Sequence, residues 1–210
     1  MKDKFKEHYI KFRPIIKKRL LEFSEFRRKG TKELFEEMAF CVFAANSSAE
    51  MANTALNLLK PVLWSGTLKD YKKKVHKKVR FYNVRSKYLH ENRLIIENFE
   101  KQKIDFKKHL ESLEYKERRE FIRKNFKGFG MKEASHFLRN IGYEGYTIID
   151  KHVLNMMHDM DVIKSNSAPK TPDEYYKIEK KIIDFAEKEG YDIDELDLAL
   201  WSFKAGKVMR

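Results

Sequence analysis

The sequence predicts an all-α fold, and three observations carry that reading. Apolar residues recur three and four positions apart through most of the 210 residues. No segment alternates in the manner of a strand beyond the short Thr147-Ile148-Ile149-Asp150. Neither an internal repeat nor a low-complexity tract interrupts the helical pattern.

Phe5, Tyr9, Phe12, Ile16, Leu20 and Phe23 form one apolar stripe and predict the first helix. Thr31 is expected to cap the second, its hydroxyl accepting a backbone N–H three residues on, with Leu34, Phe35, Met38, Phe40 and Phe43 turned inward. Met51, Ala55, Leu58 and Leu59 belong to a helix that stops near Pro61. Residues 68–80 (LKDYKKKVHKKVR) are strongly basic and precede a helix carrying Tyr88, Leu89, Ile95, Ile96 and Phe99. Phe106, Leu110 and Leu113 predict a short helix, and 115–125 another with Phe121 and Ile122 inward. Helices over 131–141 and 151–160 flank the loop 142–150. Two prolines and small polar residues make 164–172 (KSNSAPKTP) a loop, after which Pro172 opens a helix that Gly190 ends. Leu196, Leu198, Leu200, Trp201 and Phe203 lie on the last helix.

Composition narrows the function. No apolar run approaches the roughly 20 residues that span a bilayer, and the charged start MKDKFKEHYIKF lacks the apolar centre of a signal peptide. A cytoplasmic protein without membrane contact is expected. The single Cys41 excludes an intrachain disulfide framework and a four-cysteine iron–sulfur cluster. Seven scattered histidines lack the paired spacing of a zinc site, so no metal is expected there. The net charge of +13 points to a polyanion, with nucleic acid the commonest. A lysine-rich solubilised surface, as in heat-adapted proteins, is the alternative.

The most informative stretch is 116–152. A charged amphipathic helix (KERREFIRKN) runs into Phe126-Lys127-Gly128-Phe129-Gly130 and then directly into the helix MKEASHFLRN. Two glycines one residue apart permit a hairpin too tight for a residue with a Cβ. The helix after it starts with N–H groups free to bind phosphate oxygens. Such a helix–hairpin–helix, over about 115–141, grips a DNA backbone without reading its sequence; an ordinary capping glycine with a turn would look the same. Lys132 stands in the first turn of the second helix, where the partial positive charge disfavours an ammonium and favours an amine nucleophile. Asp150 follows 18 positions later, just before the next helix, with His152 two further on. Taken singly, Lys132 reads as a phosphate contact and Asp150 as an N-cap; together they supply a nucleophile and a carboxylate.

The residues 127–140 (KGFGMKEASHFLRN), with Ile149-Asp150-Lys151-His152, resemble the helix–hairpin–helix DNA glycosylase superfamily, and within it the compact 8-oxoguanine DNA glycosylase/AP lyases of archaea and some bacteria. The similarity extends to Phe40-Cys41 with Ala45-Asn46, to Arg80-Phe81-Tyr82 with Arg85, and to Glu195-Leu196-Asp197 with Trp201 and Gly206-Lys207-Val208. The resemblance implies one domain over 1–210 made of two helical subdomains flanking a DNA-binding cleft, a monomer acting at the nucleoid on double-stranded DNA that contains oxidised guanine. It implies that Lys132 attacks the sugar C1′, releases the base and cleaves the strand by β-elimination, with Asp150 moving protons and stabilising the cationic sugar. Lys127, Gly128 and Gly130 would hold the backbone. Asn46 would fill the vacated stack, or serve as a turn residue. Arg80 and Arg85 would face the estranged base or its phosphates, or be solvated ends of a basic helix.

Phe81 and Trp201 would sandwich the extruded purine, with core packing the other reading for Trp201. The terminal Arg210 would lie near the purine where many relatives have Lys, or be an unordered end. The family uses no redox cofactor; a monovalent cation on the backbone carbonyls of the turn 127–130 is implied. Two other functions stay open: a glycosylase for another damaged base on the same fold, and a non-enzymatic DNA-binding protein using the hairpin as a clamp.

Overall fold

The computed structural model describes residues 1–206, all of whose regular structure is helical. The helices are α1 (Lys2–Phe26), α2 (Thr31–Ala44), α3 (Ala49–Leu59, continued by a 3-10 turn Lys60–Val62), α4 (Leu68–Val75), α5 (Tyr82–Lys101), α6 (Phe106–Ser112), α7 (Tyr115–Asn125), α8 (Met131–Asn140), α9 (Lys151–Asp159), α10 (Pro172–Glu189) and α11 (Ile193–Ala205). No helix among the described residues is long and apolar enough to cross a membrane. The chain divides into two compact units. Unit 1 takes 1–27 and the chain from 138 onward; unit 2 takes 28–137, so the boundary falls inside α8.

In unit 2 the apolar spacing of α2 buries Leu34, Phe35, Met38, Phe40 and Phe43 against α3 and α5. Ala52, Ala55, Leu56 and Leu59 from α3, Tyr71 and Val75 from α4, and Leu89 and Ile96 from α5 complete that core. Full burial of each large side chain here is worth about 1.5–3 kcal/mol. The N-cap of α2 is Gly30 rather than Thr31: the Gly30 N–H donates to Glu33 Oε2 at 3.0 Å, so the helix start is held by a carboxylate that takes the cap residue's own N–H and not by a threonine hydroxyl. Ser48 and Thr67 cap α3 and α4 through their hydroxyls, which accept from Met51 N and Asp70 N.

In unit 1, α1 packs on α11, which also meets α9 and α10. Phe5, Tyr9, Ile16 and Phe23 are the buried positions of the α1 stripe. Tyr9 donates its hydroxyl to Glu195, which also accepts from Arg13 Nε at 2.7 Å. Burial, then that carboxylate, pushes the Tyr9 hydroxyl up to about 12.

Candidate active site and nucleic-acid interface

The hairpin of unit 2 is built by aromatic anchors and one asparagine. Phe126 and Phe129 are buried, Phe126 against Phe106 and Phe121 and Phe129 against Phe137. Lys127 and Gly130 between and beside them face solvent. Gly128 has φ +82°, the left-handed region, and a Cβ there would stand 3.0 Å from the Tyr88 ring. The left-handed backbone favours glycine, and the ring would have to give way to any larger residue. Asn92 of α5, fully buried, pairs with the Lys127 backbone at both ends: its Nδ2 donates to Lys127 O at 2.9 Å, and Lys127 N–H donates to its Oδ1 at 2.7 Å. Gly130 O accepts the Ala134 N–H, which closes the first turn of α8. Each carbonyl keeps a second lone pair, so the turn retains acceptor capacity for the expected cation.

Lys132 is the second residue of α8 and is half-buried. Its Nζ lies 3.0 Å from Glu133 Oε1. The sequence gives no sign of this ion pair between neighbouring residues. Glu133 also leans toward Gly130, where a Cβ would come within 3.2 Å of its Oε2.

Asn46, Arg80, Phe81 and Arg85 form a second group in the same unit. Asn46 is exposed in the turn after α2 with φ +51°. Phe81, the N-cap of α5, has φ +55° and is 59% exposed, with the Arg80 and Arg85 guanidiniums 5.4 and 5.7 Å from its ring centroid. A pocket lining was expected of Phe81; on its own unit it is an exposed tip. Arg85 departs from expectation more sharply. It is only 5% exposed, and its guanidinium donates to Phe43 O at 2.8 Å and to Ala45 O. Instead of facing phosphates or solvent, it closes the C-terminus of α2 and fixes the turn that carries Asn46. Burial, with Arg80 nearby, pushes the Arg85 guanidinium below its ordinary value.

Asp150 belongs to unit 1 and is the N-cap of α9, its Oδ1 accepting from His152 N and Val153 N, both at 2.8 Å. The capping reading therefore holds in geometry, and it leaves the second carboxylate oxygen for other work. The extended stretch before it forms no strand, because side chains take its backbone donors. Gly145 N–H donates to Asp194, Thr147 N–H to Glu179, Ile148 N–H to Asp197 and Ile149 N–H to the Tyr175 hydroxyl. Tyr175 in turn donates to Thr147 O at 2.7 Å, and Asp197 pairs with the buried Arg139 of α8. Burial, against the opposing Gly145 bonds, pushes the Asp194 carboxyl up to about 7. The sequence foreshadows none of these supports as such; Asp197 and Arg139 stand in it only as members of motifs.

Trp201 is half-buried on α11. Arg210 lies outside the described residues. Among those residues no group of three His, Cys, Asp or Glu side chains converges as a metal site would.

Residues 16–191 match the family model for 8-oxoguanine DNA glycosylase. A relative from Methanocaldococcus jannaschii, an 8-oxoguanine DNA glycosylase/AP lyase, is 34% identical over 93% of this chain and 92% of its own. The crystal structure of the 8-oxoguanine DNA glycosylase of Thermotoga maritima aligns with a TM-score of 0.87 at 31% identity, covering 99% of this chain and 97% of that one. The Methanocaldococcus jannaschii glycosylase/lyase, crystallised with a 15mer DNA containing 8-oxoguanine, aligns with a TM-score of 0.84 at 32% identity over 97% and 98% of the two chains. A family match over most of the length, a shared helical fold and a glycine hairpin leading into a lysine-bearing helix agree: this chain belongs to the 8-oxoguanine DNA glycosylase family.

Proposed function

We infer that the chain is a bifunctional DNA glycosylase/AP lyase that excises 8-oxoguanine from double-stranded DNA, with Lys132 as nucleophile. The observation that carries the residue assignment is the placement of a primary amine on the second residue of a helix that directly follows the left-handed turn at Gly128. The hairpin binds phosphate, and the same turn sets the amine beside the nucleotide it holds.

In the reaction, Lys132 Nζ bonds to the sugar C1′ as the bond from C1′ to the base breaks. The purine leaves with the bonding pair and is protonated. Loss of a proton from Nζ and opening of the sugar ring leave an imine. Removal of a C2′ proton then expels the 3′ phosphate and cuts the strand. Lys132 must lose a proton to attack, and its ion pair with Glu133 at 3.0 Å gives that proton a neighbouring acceptor. Asp150 offers its uncommitted carboxylate oxygen to the cationic sugar and to the protons in transit. The base has to leave the stack for either group to reach C1′; Asn46 is the residue assigned to the space it vacates, and Phe81 and Trp201 to the extruded purine. A monovalent cation on the hairpin carbonyls, when bound, would add positive charge beside the phosphate.

Borohydride reduction on an oxoguanine duplex tests this. The wild type is expected to give a covalent protein–DNA adduct. Lys132→Gln should give none while still binding duplex, and Lys32→Gln, at the corresponding position of the Gly30-Thr31-Lys32-Glu33 helix start, should trap as the wild type does. Comparable cleavage by Lys132→Gln would falsify the nucleophile assignment.

A further inference from the structure

The segment 68–80 holds seven lysines and arginines and one acid, so thirteen residues carry almost half of the +13 charge. The fold keeps these charges on one solvent side. Tyr71, Val75 and Val79 are buried, and Lys69, Lys73, Lys74, Lys77, Lys78 and Arg80 are exposed. The one acid, Asp70, is committed to the cap of α4, accepting the Thr67 N–H at 2.8 Å and the Thr67 hydroxyl at 2.7 Å. Among the described residues, none of the lysines in the segment closes an ion pair.

Solubility alone does not produce this pattern. A surface that is only kept in solution mixes its signs, and α10 does so: Lys177, Lys180, Lys181 and Lys188 stand among six acids, and Lys180 pairs with Asp184 at 2.8 Å. The α4 side is unmixed, and it runs into the exposed aromatic Phe81. Unpaired base ending in an aromatic is a combination suited to nucleic acid.

We propose that residues 69–80 form a second, sequence-independent contact with the duplex backbone, separate from the hairpin, that holds undamaged DNA. The proposal rests on the glycosylase reading for its partner. Each lysine that neutralises a phosphate releases counterions and adds about 0.9 to the slope of log affinity against log salt. Titration of wild type and variants with an undamaged duplex at rising salt reads that slope directly. Lys69→Gln, Lys73→Gln, Lys74→Gln and Lys78→Gln combined should reduce it by about 2–4, and the same four positions changed to Arg should keep it. The control carries four Lys→Gln changes at 177, 180, 181 and 188, removes the same net charge and should reduce the slope by less than about 1.

Equal reductions in the two Gln variants, or a reduction in the Arg variant as large as in its Gln counterpart, would overturn the proposal. Borohydride trapping by the wild type reads the parent assignment separately. A wild type that traps no adduct yet shows this difference in slopes loses the glycosylase reading and keeps the DNA-binding face.

Discussion

Two loops present the residues assigned to chemistry, and they are held by different means. The hairpin before Lys132 is pinned by a neutral amide: Asn92 donates to and accepts from the Lys127 backbone, and Gly128 supplies the left-handed turn. The stretch before Asp150 is pinned by carboxylates and a phenol: Asp194, Glu179, Asp197 and Tyr175 take the backbone N–H groups of Gly145, Thr147, Ile148 and Ile149. An amide has no charge to lose or gain in the working pH range, whereas a buried carboxylate does. The loop that carries the acid is thus the one whose support responds to pH.

The largest expected effect separates the two roles of Asp150. Asn is as good an N-cap as Asp, so Asp150→Asn should keep α9 and bind duplex within about twofold, while base release slows by about 100-fold or more in single-turnover excision assays. Equal losses in binding and rate would leave Asp150 a cap only. Next comes the amide. Asn92→Ala strands the Lys127 N–H and carbonyl, and should destabilise unit 2 by about 2 kcal/mol in denaturant titrations, equally at pH 6 and pH 8.

The smallest effect concerns Asp194. Its folded-state pKa of about 7 lies above the ordinary 3.8, so the folded chain prefers the neutral acid. The sign follows from linkage: support is greatest below pH 3.8 and falls as pH rises toward 7. Asp194→Asn should therefore raise stability by about 1–2 kcal/mol at pH 8 and give little or nothing near pH 4. A gain of the same size at both pH values would show that charge is not the cause.

The fold class and the site's centre were legible because both are local. The three-and-four spacing of Leu34, Phe35 and Met38 states a helix without reference to anything distant. Gly128 two residues before Gly130 states the hairpin. The first glycine of the pair matters: Gly30-Thr31-Lys32-Glu33 repeats the pattern of Gly130-Met131-Lys132-Glu133, yet nothing upstream of it turns left-handed. What stayed hidden depends on partners far apart in the chain. Asn92 meets Lys127 across 35 positions, and in sequence it is one polar residue among several on an amphipathic helix. Arg85 reads as the basic end of a helix, and only the fold reveals that the carbonyls of Phe43 and Ala45 await it. The stretch 147–150 holds the one short strand-like pattern, inside what reads as the loop 142–150. It needs no neighbouring strand, since side chains from α10 and α11 serve in place of a ladder.

The amide bracket at Lys127 has a consequence for the rhythm of deuterium uptake. A loop residue with a solvated side chain ordinarily trades its peptide hydrogen within moments, but this one donates into the interior of α5. Its hydrogen can leave only when Asn92 lets go, so Lys127 should label as slowly as the core of that helix while the exposed Gly130, three residues on, labels early.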